Sequence, residues 1–220
     1  MRRQHEPEPC PDTSLLISYL TLRKTVGILG ILLPFLASLG ACLIFHIPLQ
    51  PTISAYYYTG TGAVFVGTLW TIGFFLFAYK GYDRDDIPGR LAWAFALAVT
   101  LFPPAPNCGS CSYNHTAAEL HWIVAALLFL TLSYFSLCLF TKTDPSKAPT
   151  RQKLQRNRIY KACGYIMLGC LILVPVTFIP GIAAIVGTHH PVFWLEAATV
   201  EAFGVSWLIK GEFILQDQPE

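Results

Sequence analysis

Apolar residues run through this chain in long unbroken blocks rather than in alternation with polar ones. Six blocks stand out, at residues 26–47, 62–79, 91–102, 117–140, 162–178 and 192–210. A helix needs about 20 apolar residues to cross the hydrocarbon core of a bilayer. Continuous rather than alternating runs argue against strands. An open sheet facing lipid is also excluded by its unpaired backbone groups. The pattern therefore predicts an all-α, polytopic membrane protein with six transmembrane helices in one bundle. The third block is short for a span, and crossing Arg90 or entering Pro103-Pro104 would lengthen it.

The polar intervals complete the organisation. Residues 1–25 form a polar amino-terminal segment, in which residues 14–22 lie along the inner interface or extend the first helix. The transmembrane unit covers residues 26–211, with a polar connection at 141–161 that predicts a short helix over 152–158. Residues 212–220 form a tail. The start of the chain lacks the apolar run of a cleavable signal.

Composition agrees: 54% of residues are hydrophobic and 13% charged, against about 25% charged in a soluble domain. Charge then orients the spans. With the amino terminus inside, all 15 Lys and Arg residues fall in the amino-terminal segment, the two inner connections or the end of the last span. The three outer connections carry none. Cytoplasmic loops are enriched in Lys and Arg, so the expectation is a multi-pass cell-membrane protein with both termini cytoplasmic. Contact of these cations with anionic inner-leaflet headgroups fits the bias, and membrane insertion alone explains it equally well.

Five of the six histidines, His46, His115, His121, His189 and His190, fall on the predicted outer side. Glu119 joins them at the start of span four. In Thr116-Ala-Ala-Glu119 it fits a capping box. His115 and Glu119 share a helix face at a spacing of four, whereas His121 points elsewhere. Cys108-Gly-Ser-Cys111 precedes them. Read with His115 and His121 it has zinc-ligand types in order, and a disulfide or free thiols are the competing readings.

Glu201 lies about ten residues into the last span, where a carboxylate costs a few kcal/mol and faces the bundle or a wet cavity. Ala197 and Gly204 share its face, as small residues do at close helix contacts. Glu196 sits about 140° away around the helix, so the two acids need not act together. Tyr56, Tyr57 and Tyr58 occupy an uncharged outer connection that predicts packing over the mouth of the bundle. No phosphate-binding loop, nucleophile elbow, His-Glu-x-x-His or dinucleotide fingerprint is present, and nothing resembles a nucleic-acid-binding fold.

Three stretches carry a resemblance: Pro51-Thr-Ile-Ser-Ala-Tyr-Tyr-Tyr58 leading into Val64-Phe-Val-Gly67, Phe77-Ala-Tyr-Lys-Gly-Tyr-Asp83, and Phe203-Gly-Val-Ser-Trp-Leu-Ile-Lys-Gly211. They resemble an uncharacterised family of bacterial six-helix membrane proteins. More distantly, Pro-x-Ile-Ser and His121-Trp-Ile-Val-Ala-Ala-Leu-Leu-Phe129 are similar to the DRAM-type six-helix family, which includes proteins of lipid-anchor remodelling and lipid distribution. The resemblance implies a six-helix fold and lipid-related work. In residue types the chain is also similar to seven-helix zinc hydrolases of ceramides, without their His-x-x-x-His pair.

Three functions follow as expectations. The first is binding of a lipid or small apolar ligand from the outer leaflet, with Tyr56–Tyr58 over the mouth and Glu196 or Glu201 as polar contact. The second is a zinc-dependent lipid hydrolase using some of His46, His115, Glu119, His121, His189 and Glu196. The third is a proton-coupled carrier in which Glu201 titrates.

Overall fold

The computed structural model describes residues 19–79, 86–108, 110–143 and 150–213. The first 18 residues of the amino-terminal segment, Lys80, Asp83 and Arg84, Lys147, and residues 214–220 of the tail lie outside the described residues. Among the described residues seven α-helices form: α1 (Tyr19–Phe45), α2 (Gly62–Phe77), α3 (Asp86–Leu101), α4 (His115–Tyr134), α5 (Arg151–Val176), α6 (Pro180–Val186) and α7 (Pro191–Lys210). No strand occurs among the described residues. Four helices among the described residues are long and apolar enough to cross a membrane: α1, α4 with its extension to Leu139, α5 and α7. The apolar α2 is shorter, at 16 residues.

The boundaries show where local chemistry outweighs hydropathy. Helix α3 begins at Asp86, five residues before its apolar block. Pro88 is tolerated in the first turn, where amides lack intrahelical acceptors, and Asp86 pairs with Arg90 at 2.7 Å. The predicted short helix at 152–158 is instead the first part of α5, which runs unbroken from Arg151. Thr150 caps it by accepting from the Lys153 N–H at 3.1 Å. Helix α4 starts at His115, so its cap is not the predicted Thr116–Glu119 box. Asn114 does that work, its side chain accepting from the Ala117 N–H at 3.1 Å. The short α6, none of whose residues is buried, was not among the predicted elements.

Helix α1 packs against α2 and α7, α2 against α3, α3 against α4, α4 against α5, and α5 against α7. The six longer helices thus close a ring. Helix α7 is its hub: 67% of its apolar window is buried, against 22–33% for the other three long helices. Glycines set the α1–α7 approach. A Cβ placed on Gly204 would lie 2.8 Å from the Gly27 carbonyl oxygen, and one on Gly27 2.7 Å from Leu208 Cγ. Small residues of this kind let helix backbones meet closely.

The ring has two chemically different ends. At one, Arg23 of α1 reaches the Lys210 carbonyl oxygen at 3.5 Å, and Lys153 Nζ donates to the Phe140 carbonyl at 2.8 Å. This is the cation end. At the other, the connection between α1 and α2 folds into the bundle, and Tyr58 Oη donates to the Pro104 carbonyl at 2.8 Å. This is the loop end. The flanks between them are apolar, with Leu43, Ile44 and Ile172 each about 70% exposed (73%, 70% and 68%).

Candidate functional site

The α1–α7 pair is close at its glycines and open toward the loop end. There the small Ala197 and Ala198 of α7 share a wall with Pro34 and Ser38 of α1. Pro34 has no N–H to continue the α1 ladder, and Ser38 Oγ donates to its carbonyl at 2.6 Å. The space left is a groove of about 560 Å³, walled also by Phe35, Leu39, Cys42, Leu49, Phe193 and Trp194. Phe35, Leu39 and Trp194 are themselves well exposed, so the groove opens on the flank of the bundle. Its volume falls within the roughly 300–1,000 Å³ of small-molecule sites.

Glu201 is the acid in this apolar wall. Its Oε1 is buried and finds no hydrogen-bond partner among the described residues. Buried polar atoms are nearly always paired, so this oxygen marks a place where the chain alone is incomplete.

Glu196, on another face of α7, is 8% exposed. Its Oε2 accepts from the Ile53 N–H at 2.6 Å. That amide stands at the entry to the 3₁₀ turn Ser54–Tyr58. The turn is primed locally, because Thr52 Oγ1 accepts from the Ala55 N–H at 2.9 Å. A remote carboxylate therefore latches the loop onto α7.

The tyrosines divide their roles. Tyr56 is completely buried, tilted against Phe193 at 6.3 Å, and its hydroxyl accepts from the Gln50 N–H at 3.2 Å. Burial pushes its phenol above the usual range, and that hydrogen bond opposes the shift. Tyr57 and Tyr58 meet edge to face at 5.0 Å, and burial likewise raises the Tyr58 phenol. None of the three lines the α1–α7 groove. The expected tyrosine cover is instead a structural plug, and Leu49 is the loop residue at the groove.

His121 is 2% exposed. Its Nδ1 lies 2.8 Å from the Phe102 carbonyl and 3.1 Å from that of Val99. Carbonyls only accept, so Nδ1 carries a proton. The ring thereby serves carbonyls at the end of α3 that have no helical donor. His121 and Glu196 both line a small interior cavity of about 50 Å³. They are its two titratable side chains.

The remaining candidates do not converge. His46, His115, Glu119 and His189 are exposed, and the His115 ring rests on Tyr113 at 4.4 Å. Among the described residues no group of three His, Cys, Asp or Glu side chains stands close enough to hold a metal ion. The zinc set drawn from the sequence is thus dispersed in space, because a helix start, a loop and a buried cap put its members on different faces. Cys108 and Cys111 are bonded to each other, with Cα atoms 5.6 Å apart, so neither offers a thiolate. No family model, curated protein or solved structure matches the chain. The site must therefore be read from its own geometry, which sets one unsatisfied acid in an apolar groove.

Sequence reasoning found Glu201 and Glu196 as acids but missed the groove's other wall. Pro34 and Ser38, inside the first apolar block, were its only sequence signal.

Proposed function

We propose that this is a six-span membrane protein, with both termini cytoplasmic, that holds a lipid or small apolar ligand in the α1–α7 groove. The ligand carries a hydrogen-bond donor (a hydroxyl, amide or amine) that meets Glu201. The observation carrying this reading is the unpartnered Glu201 Oε1 in an apolar wall. A donor in that position removes the desolvation penalty of an orphaned polar atom, while the alanines and Pro34 receive the apolar body.

The membrane part is supported by the apolar flanks and by charge. The described cations Arg23, Lys153 and Lys210 meet at one end, and the uncharged tyrosine loop closes the other. Reporter fusions at Gln50 and at residue 147 test the orientation. The first should report the outside and the second the cytosol; the reverse result sinks the topology.

The binding part is tested on the full chain in mild detergent, by native mass spectrometry of retained lipid. Ala198→Trp, which fills the groove, should abolish retention. Glu201→Leu, which keeps volume and removes the acceptor, should weaken it about tenfold, the scale of a hydrogen bond to a buried acid. Unchanged retention in both variants would end the proposal.

A further inference from the structure

Among the described residues three buried side-chain atoms without a hydrogen-bond partner lie toward the cation end: Arg23 Nε, Asn157 Oδ1 and Trp207 Nε1. Two of them are donors, and both belong to one aromatic box. Trp207 is 1% exposed, with its ring 5.4 Å from Tyr79, 5.1 Å from Phe140 and 5.7 Å from Phe135. The Arg23 guanidinium stands 5.7 Å from the same Tyr79 ring and 4.5 Å from Tyr19. Lys210 Nζ stands 5.5 Å from the same Phe140 ring.

The box is built by α4's departure from regular helix. Residues Phe135–Leu139 form a π-helical turn, closed by the Phe140 N–H donating to the Phe135 carbonyl at 2.9 Å. The extra residue in that turn brings Phe135 and Phe140 to one side, 5.9 Å apart. Ser136, in the same turn, donates to Ser206 of α7 at 2.9 Å, which fixes α4 against the Trp207 helix. Such π turns recur at functional sites.

Charge converges there as well. Arg23 of α1, Lys153 and Arg156 of α5, and Lys210 of α7 are near enough for each of the first three to act on Lys210 as a like charge, while Glu212 acts in the opposite sense. Like charges drawn together from three helices, beside two buried donors that lack acceptors, call for a multi-oxygen anion. A phosphate oxyanion offers several acceptor oxygens at once, and guanidinium and ammonium groups are its usual partners.

We infer that the cation end holds a phosphate-binding site built by Arg23, Trp207 and Lys210, with Lys153 and Arg156 adding positive field. The phosphate belongs to an anionic lipid headgroup or is free phosphate, and the same donors serve both. The site lies at the opposite end of α7 from the loop and does not depend on the Glu201 groove.

The test uses the purified full chain in zwitterionic detergent, with thermal unfolding as the readout. It is titrated with inorganic phosphate, with phosphatidic acid in mixed micelles, and with phosphatidylcholine alone as reference. Saturable stabilisation by phosphate or phosphatidic acid, beyond phosphatidylcholine, is expected. Inorganic phosphate sufficing indicates free phosphate; a requirement for phosphatidic acid indicates a headgroup. Trp207→Phe keeps the ring and removes the donor, and should weaken the dissociation constant about tenfold. Should that variant fail to fold, Lys210→Gln carries the same expectation. Arg158→Gln, at an exposed position, should bind as the wild type does. No saturable stabilisation, or equal weakening in Arg158→Gln, overturns the inference.

Discussion

Glu196 and Glu201 stand five residues apart on α7, and both are acids surrounded by apolar helices. The first is a finished structure: its carboxylate meets the backbone N–H of Ile53 in the loop. The second keeps a buried oxygen without a partner beside an open groove. Burial alone does not separate a structural acid from a binding one. Satisfaction does, because a carboxylate given donors by its own chain has no need of a ligand, whereas an orphaned one remains a standing penalty until something arrives.

The largest test of this contrast replaces each acid by leucine, which keeps volume and removes the acceptor. Glu196→Leu strands the buried N–H of Ile53 and releases the loop that carries Tyr56. It should destabilise by about 3 kcal/mol, the upper end of the roughly 1–3 kcal/mol that a stranded buried donor costs. Glu201→Leu removes an atom with no partner and buries more apolar surface, so its stability should stay level or rise. Equilibrium unfolding of the two variants in one detergent decides the matter. If Glu201→Leu loses as much as Glu196→Leu, then Glu201 is structural and the groove proposal loses its basis.

The same contrast explains what could be read from the sequence. The apolar blocks located α2, α4 with its extension to Leu139, and α7 to within a residue or two, since burial and hydropathy are local properties of the chain. The start of α3 and of α5 was less legible, because Asp86–Arg90 and the Thr150 cap extend helices into polar sequence. Glu201 was legible as an acid deep in an apolar run. The partner of Glu196 was not, because it is a main-chain amide 143 residues away, and every residue type but proline carries that donor. Likewise the aromatic box arises from a π turn that carries Phe135, together with the rings of Tyr79, Phe140 and Trp207, none of which leaves a spaced motif. The histidines misled for the opposite reason. Their clustering on one predicted side of the membrane is a statement about ends of helices, and ends on one side still lie around a ring.

His121 sharpens the comparison at a smaller scale. Like Glu196 it is a buried titratable group whose polar atom meets backbone, here the carbonyls of Val99 and Phe102. Its loss should matter less, because carbonyls at a helix end have two lone pairs and tolerate partial satisfaction better than stranded N–H groups do. His121→Phe retains a planar ring and removes the donor, and should destabilise by about 1–2 kcal/mol. His115→Phe, at the exposed start of the same helix, should stay within about 0.5 kcal/mol of wild type. A metal ligand would behave differently, since a chelator would then lower wild-type stability and leave His121→Phe unmoved. The cap reading expects a chelator to change neither protein, and a chelator-sensitive wild type would return the buried imidazole to the ligand set from which its hydrogen bonds remove it.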